Sequence, residues 1–415
     1  MKFGKQALAF ALALTLALLA GCGAPGASGA GSAGSGQPAS AAVTPEPEPQ
    51  QPQVSGEMPA AQPGVSALTG REAKAEGMRP VAVMLYNTKA CRPQWGISTA
   101  DILIEANTEG QGSRLMALYE GYEQVERAGP VGPGRDVFLQ LVMPFGAIPM
   151  FIGSDVYTSN LLNLYAYQPL DGRYAGVNAF DYDSSRRAAY NSEYGWYTHK
   201  DLIPGALELY GQSAQGATPT FFHFAEGSAP QAANGGTLEI GYGSERCAVL
   251  EYDPAEERYY LKEDGEFQTD ANTEEGSVRF MNVVLLMARA GYKDDGVTRN
   301  YDLASGEGLY LSKGGARTIR WSKSGPQSPV QLFDEAGAAL AVEPGRTYMG
   351  VWGGFEGQTL RLLAQDGSEQ PLPPAPKPLE DLQPPEAEGE EAGGEPAPDA
   401  GADEGEPAPE DPPQE

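Results

Sequence analysis

The 415-residue chain has little of what metal and redox chemistry uses: three cysteines and two histidines. Cys91 and Cys247 lie far apart and no C-x-x-C spacing occurs, so a structural zinc site lacks a ligand set and no metal is expected. The spacing favours two unpaired buried thiols, although an exported compartment would permit a disulfide. His199 and His223 stand in neither a G-x-S-x-G nor an H-E-x-x-H context. A Ser-His-Asp or Cys-His hydrolase would have to rest on one of them, and His199, beside Tyr197 and Lys200, is the better placed. P-loop and dinucleotide fingerprints are absent, so no cofactor is expected. The aspartates of "FDYDSS" (Asp181, Asp183) and "KDDGVTRNYD" (Asp294, Asp295, Asp302) do not match a twelve-residue calcium loop and read as turn chemistry. Basic charge is short as well: 28 Lys and Arg face 56 Asp and Glu, a formal net charge of −28. No nucleic acid is expected as a partner, and an anionic membrane surface is a poor one, because both need Lys/Arg footprints.

The chain has one conspicuous apolar run outside the globular region, near its start. "MKFGKQALAFALALTLALLAGCGAPG" places Lys2 and Lys5 before an apolar stretch from Ala7 to Leu19, closed by Leu19-Ala20-Gly21-Cys22. The run is short for a membrane span, which needs about 20 residues. The pattern is that of a bacterial lipoprotein signal, residues 1–21, with export, diacylation of the Cys22 thiol and cleavage before it. Such a chain is anchored to the membrane through lipid on Cys22, on its extracytoplasmic face. Residues 22–78 are Gly-, Ala-, Ser-, Pro- and Gln-rich and read as a disordered tether. An acidic, Pro-rich tail, 367–415, reads the same way, and its last 45 residues carry 14 acidic groups against one lysine. Without signal, tether and those last 45 residues, the core 79–370 still keeps a net charge of −14.

That core is long enough for two domains or one large one. "RPVAVMLYN", "ADILIEAN" and "SRLMALYEGY" read as strands, and the turn "TEGQG" favours antiparallel pairing of the last two. "AGPVGPGRDVFLQLVMPF" combines a Gly/Pro loop with helical spacing at Val137, Leu141 and Val142, and "AIPMFIGSD" reads as a buried strand. "HKDLIPGALELYG" predicts a helix with Pro204 in its first turn. Between Tyr157 and Tyr197 lie eight of the 20 tyrosines, with Trp196. They read as cover over a loop-rich core, or as a surface on which sugar rings stack. After Gly216, "RYYLKEDGEFQ" predicts a hairpin at Asp264-Gly265, and "GLYLSKGGARTIRWSKS" another across Lys313-Gly314-Gly315. "SVRFMNVVLLMARA" suits strand or helix, and "VQLFDEAGAALAVEPGRTYMGVWG" looks like a further hairpin. The expected class is α+β: an N-terminal domain, 79–215, with a mixed or antiparallel sheet and helices, then a mostly antiparallel β domain, 216–366.

At "RPVAVMLYN", "CRPQWGISTADILIEANTEGQGSRLMALYE", "AGPVGPGRD" and "GLYLSKGGARTIRWSK…PVQLFDEAG…VEPGRTYMGVW" the chain resembles the YerB-like lipoproteins. These are bacterial envelope proteins built on a domain of unknown function with a smaller C-terminal β domain. The resemblance spans the core and implies an exported, lipid-anchored protein. It carries over Asn87, Arg92, Asp101, Glu105, Glu109, Arg114 and Arg135. The family's first loop arginine is Gly132 here, and its His-x-Gly-Gly-Ser turn is "FIGSD", without the histidine.

Strand alternation puts Asp101, Leu103 and Glu105 on one face, with Ile102, Ile104 and Ala106 on the other. If only the isoleucine face is buried, the carboxylates line solvent or a cleft. Arg114 can pair Glu105 or Glu109, and Arg135 can meet the same cluster. One reading is a salt-bridged network that fixes the fold. A second is a ligand cleft lined by Glu105, Glu109, Arg114, Arg135 and Asp155, binding a cell-wall polymer or an envelope protein without catalysis. A third is a peptidoglycan or glycan hydrolase using Glu105 or Glu109 as acid/base.

Overall fold

The computed structural model describes residues 58–380, apart from 59, 61, 175–177, 190–191, 245 and 274–276. The signal segment, Cys22, the tether as far as 57, Tyr190 and the tail from 381 lie outside the described residues.

Strands dominate. In chain order the two large sheets are built from β1 (Val81–Tyr86), β2 (Ile102–Ala106), β3 (Arg114–Tyr119), β4 (Ile148–Phe151), β5 (Leu170–Asp171), β6 (Thr237–Gly243), β7 (Arg246–Asp253) and β8 (Arg258–Glu263). There follow β9 (Glu266–Phe267), β10 (Arg279–Phe280), β11 (Asn282–Met287), β12 (Ser305–Ser312), β13 (Gly315–Ser322), β14 (Gln331–Phe333), β15 (Thr347–Trp352) and β16 (Thr359–Leu363). Ten of them form one mixed sheet in the order β14-β13-β12-β11-β15-β2-β3-β1-β4-β5. The second sheet runs β9-β8-β7-β6-β16, with β10 also paired to β8, and is antiparallel throughout.

Both faces of the large sheet are covered. Leu103 of β2 packs in the same cluster as Leu238, Ile240 and Tyr242 of β6, so the second sheet lies over that face. Ile102 and Ile104 pack with Val137, Phe138 and Leu141 on the opposite face. These last three belong to α1 (Asp136–Val142), the helix that the spacing predicts. All five residues of β2 are buried, because the second sheet covers one face and α1 the other, and the strand is central, hydrogen-bonded to β3 and β15. The expectation of a solvent-facing carboxylate face fails for this reason: a second sheet occupies the space that alternation assigns to solvent.

The two tight hairpins form where the turn residues place them. Asp264 and Gly265 have φ of 53° and 84°, and Lys313 and Gly314 have 49° and 77°. Positive φ at both central residues matches the right-handed strand twist. Gly315 is already in β13, opposite Ser312. The run "NVVLLM" is strand, buried at every position. The last expected hairpin forms only as a short one: Phe333 bridges Ala339 antiparallel, with the Leu340 N–H on Leu332 O at 2.8 Å and the Asp334 N–H on Ala338 O at 2.9 Å, and the rest of the run does not join it. Thr347–Trp352 instead enters the sheet centre between β2 and β11, parallel to both, and its six residues are all buried, as a parallel central strand should be. α4 is Ile203–Leu209, with Pro204 in its first turn, and α2 is Val156–Leu164; α3 (Ser184–Ala189) lies between them in the chain.

Residues 58–78, expected as tether, instead form an ordered strap over the body. Leu68 is fully buried, the Phe221 N–H donates to Ala67 O at 2.7 Å, and the Gly345 N–H donates to Thr69 O at 2.7 Å. Composition hides this, since Met58 and Leu68 are the only large apolar side chains buried from a described segment otherwise made of small and polar residues. The expected tail start is also too early: Gln370 N–H bonds Leu362 O at 2.8 Å and Leu379 N–H bonds Ala290 O at 3.0 Å.

Candidate functional site

The eight candidate residues separate into two clusters and one outlier. Glu105 is completely buried on β2. Its Oε1 accepts from Asn87 Nδ2 at 3.0 Å, Ser113 Oγ at 2.5 Å and Arg246 Nε at 3.1 Å, and its Oε2 accepts from Tyr348 OH at 2.8 Å. Arg246 also pairs with Glu263, which Arg92 reaches at 3.1 Å; Arg92 continues to Asp264 at 2.7 Å. Two buried carboxylates thus alternate with two guanidinium groups, and every polar atom of Glu105 has a donor. Burial drives its pKa up to about 7, against the pull of the hydrogen bonds from Ser113 and Tyr348. The network that fixes the fold is the reading this half supports.

Glu109 lies past the end of β2 and keeps 27% side-chain exposure. Its Oε1 accepts from Arg114 Nε at 3.0 Å and Arg135 Nη2 at 3.0 Å, and its Oε2 from Arg135 Nε at 3.0 Å. Asp155 approaches Arg135 Nε at 3.4 Å while capping α2 through the Thr158 N–H at 2.7 Å. Partial burial acts to raise the Glu109 pKa, but the Arg114 guanidinium, with Arg135, outweighs it and holds the carboxyl at about 2. The Arg114 guanidinium also sits 5.2 Å from the Tyr86 ring centre, and Tyr86 OH donates to Glu193 at 2.8 Å. Arg114 lies opposite Ala106 and Leu115 opposite Glu105, so the two clusters occupy opposite faces of the large sheet.

Asp101 belongs to neither cluster. It is buried four residues back along the strand, about 13 Å from Glu105 at strand rise, and accepts from the Glu120 N–H at 2.9 Å, with Lys74 at 3.5 Å. The single cleft expected from the sequence is therefore absent: Glu109, Arg114, Arg135 and Asp155 converge, while Asn87 and Glu105 are tied into the buried network, which Arg92, half-buried, carries out to Asp264 at the surface. Ser113, Arg246, Glu263 and Tyr348 were not anticipated. Arg246 and Glu263 did leave a signal, since each stands in phase with the buried residues of its strand (Ala248 and Leu250; Tyr259 and Leu261).

The weaker constellations resolve as local structure. Asp183 accepts from the Ser185 N–H and Asp295 from the Val297 and Thr298 N–H groups. Among the described residues no group of three or more His, Cys, Asp or Glu could hold a metal ion. Cys91 and Cys247 are free thiols; Cys91 is buried, whereas Cys247 is only half-buried. Among the described residues no serine or cysteine bonds His199, which faces Asp201 at 3.4 Å.

Comparison with known proteins places this geometry in a lineage. The model of the N-terminal domain of DUF3048, a protein of unknown function, matches residues 68–204, and that of its C-terminal domain matches residues 238–349. A Bacillus subtilis (strain 168) protein, provisionally named lipoprotein YerB, is 30% identical over 295 residues, 68% of this chain and 85% of that protein. The crystal structure of Bacillus subtilis YerB superposes with a TM-score of 0.62 at 26% identity, covering 71% of this chain and 99% of that one.

Proposed function

This chain belongs to the DUF3048 family of YerB-like lipoproteins, and from that premise we propose that it is exported, acylated at Cys22 and held on the outer face of the membrane, where it binds a wall component or a wall-assembly protein. The binding face is the one around Glu109, Arg114, Arg135 and Asp155. The observation that carries this reading is the division of the carboxylates: Glu105 has no access to solvent, and Glu109 reaches water with its charge held by two guanidinium groups. A general acid must hold a proton near working pH. Glu109, at about 2, does not. Glu105, whose pKa suits the task better, cannot touch a glycosidic oxygen. What remains open is an arrangement of fixed donors and one fixed anion beside the Tyr86 ring, suited to recognising a polar, hydroxyl- and amide-bearing polymer or a protein surface.

The test is incubation of the purified chain with isolated cell walls, followed by pelleting and mass spectrometry of the supernatant. Co-sedimentation without soluble fragments supports binding. Release of wall fragments by the wild type overturns it in favour of hydrolysis.

A further inference from the structure

A protein of formal net charge −28 concentrates cations in one cavity. The cavity, about 280 Å³, opens between the strap and the strands behind it. Arg71 and Lys74 enter from the strap, Arg258 from β8, Arg279 from β10 and Arg346 from the turn before β15. Only two carboxylates, Glu72 and Asp101, line it as well. Asp101 is turned to the Glu120 N–H at 2.9 Å and to Lys74 at 3.5 Å.

Two of the arginines are held in place without being neutralised. Arg346 donates from Nε to Ala100 O at 2.6 Å, from Nη1 to Arg279 O at 3.0 Å and from Nη2 to Ile97 O at 3.1 Å. Arg258 donates to the carbonyls of Glu256 and Glu257 at 3.4 and 2.9 Å and lies against the Met281 sulfur. Among the described residues neither has a carboxylate at ion-pair distance. Arg279 does, Glu256 at 3.1 Å, on the exposed side. Carbonyls orient a guanidinium but leave its charge in place, and burial makes an unbalanced charge costly. For Arg346 burial is strong enough to lower the pKa to about 10.

We propose that this cavity is a binding site for a phosphate group, presented either by a small phosphorylated solute or by a lipid headgroup. Arg71 is paired outward with Glu226 at 2.8 Å, Lys74 with Asp101 and Arg279 with Glu256, so the unbalanced charge is that of Arg258 and Arg346, two positive charges that exceed what one carboxylate ligand balances. Several guanidinium groups around one hollow match the oxygens of a tetrahedral phosphate, which accept several charge-assisted hydrogen bonds at once. The site is separate from the Glu109 face and does not depend on what that face binds.

The experiment titrates the full chain with inorganic phosphate and with glycerol 3-phosphate at constant ionic strength, followed by calorimetry, with chloride and acetate as competitors. In parallel, flotation is measured on vesicles of phosphatidylglycerol with phosphatidylcholine and of phosphatidylcholine alone. Phosphate should bind at least about tenfold more tightly than chloride or acetate, and the Arg258→Gln/Arg279→Gln double variant should lose at least about tenfold, the effect of removing charge-assisted bonds. Arg317→Gln, at an exposed cation elsewhere, should bind as wild type does. If the double variant does not fold, Lys74→Gln serves in its place, with an expected loss of about threefold. Flotation on the anionic vesicles alone, lost in the same variant, assigns a lipid headgroup; phosphate binding without flotation assigns a soluble ligand. The proposal is overturned if chloride or acetate binds as tightly as phosphate, or if these variants bind phosphate as well as wild type does.

Discussion

Replacing Glu105 by alanine removes the acceptor on which four donors converge, those of Asn87, Ser113, Arg246 and Tyr348. Breaking a buried ion pair from one side costs about 3–5 kcal/mol, because the partner charge stays behind. Here Arg246 keeps Glu263 and the Asn87 amide keeps Ser113 Oγ as an acceptor at 3.1 Å, which moderates the loss. The neutral donors left unpaired add about 1–3 kcal/mol, the cost of an unsatisfied buried group. Together these give about 4 kcal/mol, a large fraction of the 5–15 kcal/mol that typically separates folded from unfolded protein. Glutamine should behave differently. Its Oε1 still serves Asn87, Ser113 and Arg246, and its amide can donate to Tyr348, whose hydroxyl then turns toward Tyr242 at 2.9 Å. The loss for Glu105→Gln should be about 1–2 kcal/mol, the scale of one altered hydrogen bond. Urea unfolding of the full chain, followed by far-UV circular dichroism, separates the two variants. A Glu105→Ala protein within about 1 kcal/mol of wild type would refute the reasoning, since a sealed carboxylate with four donors cannot be removed so cheaply.

The titrations give a second expectation. Glu109 is depressed from 4.5 to about 2, so its stabilisation is present above pH 4.5 and lost as pH falls toward 2, about 3 kcal/mol in all. Glu105 is raised from 4.5 to about 7, so its contribution is complete below pH 4.5 and is lost as pH rises through 7. Melting temperatures across that range should show both limbs; Glu105→Gln should flatten the upper one and Glu109→Gln the lower. Leu68→Ala, at a fully buried strap position, should cost about 2–5 kcal/mol and expose residues 58–78 to protease, a result that a loose tether would not give. Gly314→Ala forces a Cβ to within 2.3 Å of Gln365 at a φ of 77°, and should lower thermal stability by more than about 1 kcal/mol.

Local signals were legible. The Asp264-Gly265 and Lys313-Gly314 turns, Pro204 in the first turn of α4 and the apolar spacing of α1 each depend on neighbours in sequence, and each appears where those residues stand. What failed depends on partners far along the chain. No periodicity within "ADILIEAN" reports that Leu238, Ile240 and Tyr242 cover the face that carries Glu105. The pairing of Glu105 with Arg246 spans 141 residues. The antiparallel turn did place Arg114 beside Glu109, because that contact closes over five residues. The strap was misread because composition averages over a segment, whereas one buried leucine and a few backbone bonds suffice to fix it. Charge averaging hid the cationic cavity in the same way: an acidic total says nothing of where five basic side chains gather.

The central claim is that the half-buried Glu109 cluster binds while the sealed Glu105 network only holds the fold. The most direct measurement is the affinity for isolated cell walls of Glu109→Gln, Glu105→Gln and wild type, compared by sedimentation under conditions where all three are folded. Glu109→Gln should bind at least about tenfold more weakly, the scale of losing a charge that two guanidinium groups share, and Glu105→Gln should match wild type. Equal binding by Glu109→Gln and wild type, or a loss confined to Glu105→Gln, would contradict the account.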